Sequence, residues 1–119
     1  MTDQEIIKTL AEKVMGFDII GYGSMTGYGP DTLAVAREKD GEIFEFSPLE
    51  SWNDCGVLVE KASKEGFNIY FESKHNGCVY DVEVHQADGD EAACLAQLKE
   101  QASPTRAISM AIYEAVKDE

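Results

Sequence analysis

Basic residues are scarce in this chain: ten Lys and Arg stand against 23 Asp and Glu, a formal net charge of −13 over 119 residues. A surface of that sign repels the phosphate backbone and anionic membranes, which argues against direct nucleic-acid or membrane binding and favours basic protein partners. Histidine is scarcer still, for His75 and His85 are the only near-neutral bases, and no Gly-x-Ser-x-Gly elbow occurs. No catalytic residues are therefore expected, and the chain reads as a non-enzyme. The three cysteines are odd in number and lack Cys-x-x-Cys spacing, which excludes a disulfide framework and a zinc knuckle. Cys55, Cys78 and Cys94 are expected as buried thiols in a reducing compartment. No apolar run approaches the roughly 18 residues needed to cross a bilayer, and the opening MTDQEIIKTL has two acids and no signal-like apolar centre. A soluble, cytoplasmic protein is expected.

What is present suffices for one core, since 44% of residues are apolar and 9% aromatic, so residues 1–119 read as a single domain. From Thr2, the spacing of Ile6, Ile7, Leu10 and Val14 predicts a helix that Gly16 stops. A short apolar stretch from Phe17 to Ile20 leads into Gly21-Tyr22-Gly23-Ser24-Met25-Thr26-Gly27-Tyr28-Gly29-Pro30. Four glycines in nine residues there predict an irregular loop. Residues 32–37 and 42–46 flank Asp40-Gly41 and predict a hairpin whose apolar contacts come from Leu33, Val35, Ile43 and Phe46. Ser51 with Asp54 three residues on predicts a helix start, Gly66 its end, and Trp52, Cys55, Leu58, Val59 and Ala62 its inward side.

A second hairpin is read from Phe67–Glu72 and Cys78–Val84 around His75-Asn76-Gly77, with Cys78, Tyr80, Val82 and Val84 on one face and Asp81, Glu83 and His85 on the other. Residues 92–101 are open to either helix or edge strand, since their composition favours the first and their position the second. Ser103-Pro104 opens a closing helix with Ala107, Ile108, Ala111, Ile112, Ala115 and Val116 on its apolar side. The order is α, ββ, α, ββ, an optional β, and α, which defines an α+β fold.

Several stretches together resemble a family of small phage and prophage proteins, the phage α-β-α sandwich domain. They are Glu12-Lys13-Val14-Met15-Gly16, Phe46-Ser47-Pro48-Leu49-Glu50-Ser51-Trp52-Asn53-Asp54 with Val57, Val59, Glu60 and Lys61, Lys64-Glu65-Gly66-Phe67-Asn68, and Ser103-Pro104-Thr105-Arg106-Ala107-Ile108. The resemblance implies an α-β-α sandwich of phage origin and a strand before the last helix; it implies no activity. With the residue pattern it gives one antiparallel sheet of about four or five strands and three helices.

Two constellations carry the functional expectation. Between Lys39 and Lys61 lie six acids and no base, and between Lys74 and Lys99 five more. An acidic surface of Asp40, Glu42, Glu45, Asp81, Glu83 and Asp90 is thus expected to imitate nucleic acid and block a host defence protein. The alternative is a homo-oligomeric sponge for a nucleotide immune signal, held by Gly21, Tyr22, Gly23, Gly27, Tyr28 and Gly29 with Arg106 in the first turn of the last helix. A phage structural or assembly role is a third reading. His85 with Asp81, Asp88, Asp90 and Glu91 has metal-ligand chemistry, but a solvated turn is the preferred reading, and no metal or cofactor is expected.

Overall fold

The computed structural model describes residues 3–22, 34–38, 41–74, 77, 79–88 and 91–117. Among them the chain runs through α1 (Asp3–Leu10), a π-helical turn (Ala11–Met15), β1 (Asp18–Tyr22), β2 (Ala34–Arg37), β3 (Ile43–Phe46) and α2 (Trp52–Lys64). It continues through β4 (Phe67–Lys74), β5 (Val79–Asp88), β6 (Glu91–Gln101) and α3 (Pro104–Val116). The α+β class holds. The single sheet does not, because the strands form two antiparallel three-stranded sheets, β1-β2-β3 and β4-β5-β6. Strand periodicity predicts hairpins, which are local; whether two hairpins share a ladder depends on the intervening segment, and here α2 separates them.

The first helix buries Ile6, Ile7 and Leu10, and the π-helical turn carries the same face on to Ala11 and Val14. Gly16 stops it as expected, at φ 75°. Its amide and that of Phe17 (2.8 Å) both donate to the Ala11 carbonyl, so the helix closes through a wider turn than a regular α-helical end.

In the first sheet the expected hairpin forms, with Val35 opposite Glu45 and Arg37 opposite Ile43, but its inward face is the other one. Ala34 and Ala36 are fully buried, whereas Ile43 is 45% exposed and Val35 only half-buried. The bulk of this layer comes instead from Phe17, whose ring meets Phe44 and Phe46 edge-on at 4.8 and 5.7 Å. Of the expected contacts Phe46 is buried and Leu33 lies outside the described residues; small inward residues on β2 pack with large ones before β1 and on β3.

Ser51 caps α2 by accepting from the Asp54 amide (3.2 Å), while Asp54 reaches back to the Ser47 amide (2.8 Å). Cys55, Leu58 and Ala62 form its buried stripe. Trp52 was expected in that stripe and lies outside it, 59% exposed, because it precedes the first full turn facing the core. Its indole meets Phe71 edge-on at 6.5 Å, and Phe71 stacks on Tyr80 at 5.3 Å.

The second sheet bears out the alternation read from the sequence: Val82 and Val84 are fully buried on the face that α3 covers. Residues 91–101 form β6, an edge strand paired with β5. Helix α3 packs on β5 and β6 and also on α1 and α2. It accordingly buries residues around most of its circumference: Thr105, Ala107, Ile108, Ser109, Ala111, Ile112 and Val116. Its two buried hydroxyls find partners in the turn before α2. Thr105 Oγ1 donates to the Leu49 carbonyl (2.7 Å) and Ser109 Oγ to the Pro48 carbonyl (2.8 Å). At its far end Lys13 Nζ donates to the carbonyls of Val116 (3.3 Å) and Lys117 (2.7 Å), placing a cation at the negative helix end.

Replacing Thr105 with Val keeps the volume and strands the Leu49 carbonyl in the core, which costs about 1–3 kcal/mol. Chemical denaturation should show a lower midpoint with an unchanged slope; a midpoint equal to the parent's would mean that the hydroxyl bond contributes nothing.

Candidate functional site

Because α3 and α2 take one face of the second sheet, period-2 alternation sends every other side chain of β4, β5 and β6 to the opposite face. Register then decides which of them meet. Tyr70 lies opposite Glu83, Glu72 opposite Asp81, Glu83 opposite Gln97, and His85 opposite Cys94. The result is an open depression of about 440 Å³ whose walls include Tyr70, Glu72, Lys74, Asp81, Glu83, Gln97 and Lys99, with Phe71 at its margin.

Two bulges in β6 shape this face. The register slips between Tyr80 and Val82, where Glu100 adopts φ 54°, a left-handed conformation rare for a residue with a Cβ. Its amide donates to Asp81 Oδ1 (2.9 Å), whose other oxygen is 2.7 Å from Lys74 Nζ. Asp81 is thereby occupied within the sheet. The Lys74 hydrogen bond, and after it the Glu100 amide, hold its carboxyl below the usual carboxylate range. The second slip lies between Val84 and His85 and brings Cys94 level with the histidine. Cys94 is consequently exposed, contrary to the expectation of a buried thiol; Cys55 is buried as expected, and burial raises its thiol pKa against the lowering bond from Ser109. Cys78 lies outside the described residues.

The expected acidic surface is divided between the sheets. Glu42 and Glu45 belong to the first sheet region and are exposed, whereas Asp81 and Glu83 stand on the second; Asp40 and Asp90 lie outside the described residues. On the second sheet the acids are met by bases, since Lys74 and Lys99 line the same depression. These are the two lysines that bound the second acidic run in the sequence, folded back on it by antiparallel pairing. On and around the first sheet the imbalance persists. Asp18, Glu38, Glu42, Glu45 and Glu50 are all exposed, with Arg37 the one basic residue among the described positions of residues 18–50.

For the nucleotide reading, Gly21 and Tyr22 are part of β1 rather than of an irregular loop, because both pair with β2 across a bulge. Gly23, Gly27, Tyr28 and Gly29 lie outside the described residues. Tyr22 Oη donates to the Gln4 carbonyl (3.3 Å), and burial, then Glu12 and Glu5, raise its pKa. Arg106 is gripped by both carboxylate oxygens of the adjacent Asp3, Nη1 at 3.1 Å from Oδ2. Tyr22 and Arg106 therefore both anchor on the first turn of α1, and a phosphate at Arg106 would displace a bidentate carboxylate.

No family model matches the chain, and no curated protein or solved structure matches it. Among the described residues, no helix is long and apolar enough to cross a membrane.

Substituting Glu100 with Gly relieves the left-handed backbone and should raise stability by about 0.5–1 kcal/mol once the entropy of glycine is offset. A drop in the thermal midpoint would show that the Glu100 side chain outweighs its backbone strain. The Arg106 hydrogen bonds lower the Asp3 pKa. A depressed folded pKa gives stability that is fully present above the unfolded value of about 3.9 and is lost as pH falls through the folded one. The D3N variant should thus be less stable at neutral pH and lose less on acidification below about pH 4. Parallel pH–stability curves for parent and variant would sink this assignment.

Proposed function

We propose that the chain is a small accessory protein of phage or prophage type that acts by binding, its acidic surface occupying the nucleic-acid site of a basic host defence protein. The observation that carries this reading is the exposed set Asp18, Glu38, Glu42, Glu45 and Glu50, with Arg37 the one basic residue among the described positions of residues 18–50, in a chain of net charge −13. Carboxylates spread along a β-hairpin and the following turn offer a basic groove a series of fixed negative charges, as a nucleic-acid backbone does. Long-range attraction speeds encounter and short-range pairing sets register, so binding of this kind is steeply salt-dependent. The second sheet is less suited to the role, because Asp81 is paired with Lys74 and Glu83 accepts from Gln97 (2.8 Å). The reading therefore narrows the acidic surface to the first sheet and the turn after it.

The triple variant E38K/E42K/E50K tests this. Host proteins retained by the immobilised parent chain should be released by added duplex DNA or RNA and should not be retained by the variant. Its thermal midpoint should stay close to the parent's, because exposed substitutions of this kind usually fall within about 0.5 kcal/mol. Retention indifferent both to charge reversal and to competing nucleic acid would overturn the proposal.

A further inference from the structure

We propose that Glu83, His85 and Cys94 form a zinc site on the open face of the second sheet, with three protein ligands and a fourth position left to water or to a side chain of a partner. Their ligand atoms all lie within 4.8 Å of one another. The backbone places them there: Glu83 and His85 are two apart on β5 and share a face, and Cys94 lies directly across the ladder from His85. The bulge between Val84 and His85 creates that match, and bulges commonly re-aim a side chain next to a site.

The histidine supplies the second observation. His85 Nε2 is buried and has no hydrogen-bond partner among the described residues; Glu83 Oε2 is 3.7 Å away, too far for a hydrogen bond. A buried polar nitrogen without a partner calls for an explanation, and a bound ion is one of the few available. The surroundings point the ligands the same way. Gln97 Nε2 donates to Glu83 Oε1 (2.8 Å), which leaves Oε2 turned to the histidine, and the Tyr70 ring meets the imidazole edge-on at 5.0 Å. Outer hydrogen bonds of this sort orient metal ligands and are part of a working site. The thiol of Cys94 makes a weak contact to the Ala96 carbonyl, 3.6 Å, which it gives up on deprotonation.

The donor set selects the metal. One thiolate, one imidazole and one carboxylate suit Zn²⁺, whereas Mg²⁺ and Ca²⁺ require oxygen ligands. Zinc bond lengths of about 2.0–2.3 Å put tetrahedral donors roughly 3.3–3.8 Å apart, so side-chain rotations that draw the three atoms together by about 1 Å complete the geometry. Glu83 is also a wall of the depression, so the site borders that open space. Binding releases the Cys94 thiol proton and places a dication where Glu83 and Asp81 already carry negative charge.

Cobalt(II) titration of the reduced full-length chain tests the site. One equivalent should produce a thiolate-to-cobalt charge-transfer band with the visible bands of four-coordinate cobalt, and zinc should displace it. The C94S variant should lose the charge-transfer band, and E83Q and H85N should each weaken zinc at least about tenfold in competition with a chromophoric chelator. Circular dichroism should be unchanged in all three, and the C55A and C78A variants should keep the band. Absence of the band in the reduced parent would overturn the proposal, as would a band that survives C94S or is lost with Cys55 or Cys78.

Discussion

Helix α3 meets the second sheet on one side and α1 and α2 on the other, and the rest of the arrangement depends on that double contact. A helix buried around most of its circumference must be apolar almost all round, and any polar group it carries must be satisfied internally. Ala107, Ile108, Ala111, Ile112 and Val116 meet the first requirement; Thr105 and Ser109 meet the second by binding the Leu49 and Pro48 carbonyls. Those two bonds fix the turn that delivers Ser51 and Asp54 to cap α2. The Arg106 to Asp3 pair ties the start of α3 to the start of α1, and Lys13 ties the π-helical turn to the end of α3. Contacts through α3 thereby tie all three helices together.

The same packing determines where function can reside. A sheet whose one face is taken by α3 exposes the other, and with three strands in register that face carries side chains in fixed rows. Its aromatic, acidic, basic and thiol-bearing groups come from three consecutive strands rather than from a loop. Rigid positions of this kind suit ligands that need a set geometry better than they suit a broad electrostatic footprint. The hairpin of the first sheet has the opposite character, with exposed acids along a short ladder and at its following turn.

Local features were legible in the sequence because their causes are local. Gly16 ends a helix since its φ is positive, Ser51 and Ser103 cap because their hydroxyls reach the third amide on, and the alternation of Tyr80, Val82 and Val84 fixes a strand face. What was not legible depends on pairing. The phase of β2 was misread because Ala34 and Ala36 face inward only in company with Phe17, Phe44 and Phe46. Trp52 has the right spacing for the α2 stripe and the wrong end of the helix. The acidic run between Lys74 and Lys99 looked uncompensated because the count followed the chain, whereas the ladder returns both lysines to the same depression. Cys94 was assigned to the interior on the habit of its residue type, and only the bulge at His85 reveals where it points.

That bulge also separates the two kinds of cation attraction on this molecule. A net charge of −13 raises the concentration of every cation near the surface, but the field is unselective and is screened beyond about 8 Å at physiological ionic strength. Diffuse acidity by itself therefore gives no metal a defined position. Selection requires unlike donors held at short range, and in this fold such donors meet where the ladder slips by one residue and puts a thiol opposite an imidazole whose Nε2 has no hydrogen-bond partner among the described residues, beside an oriented carboxylate. The acid surplus of the first sheet and the mixed donor set of the second are thus separate devices. Spread carboxylates attract at longer range than donors that meet at bond lengths, and the two groups lie on different sheets, so one can be altered by substitution while the other is left in place.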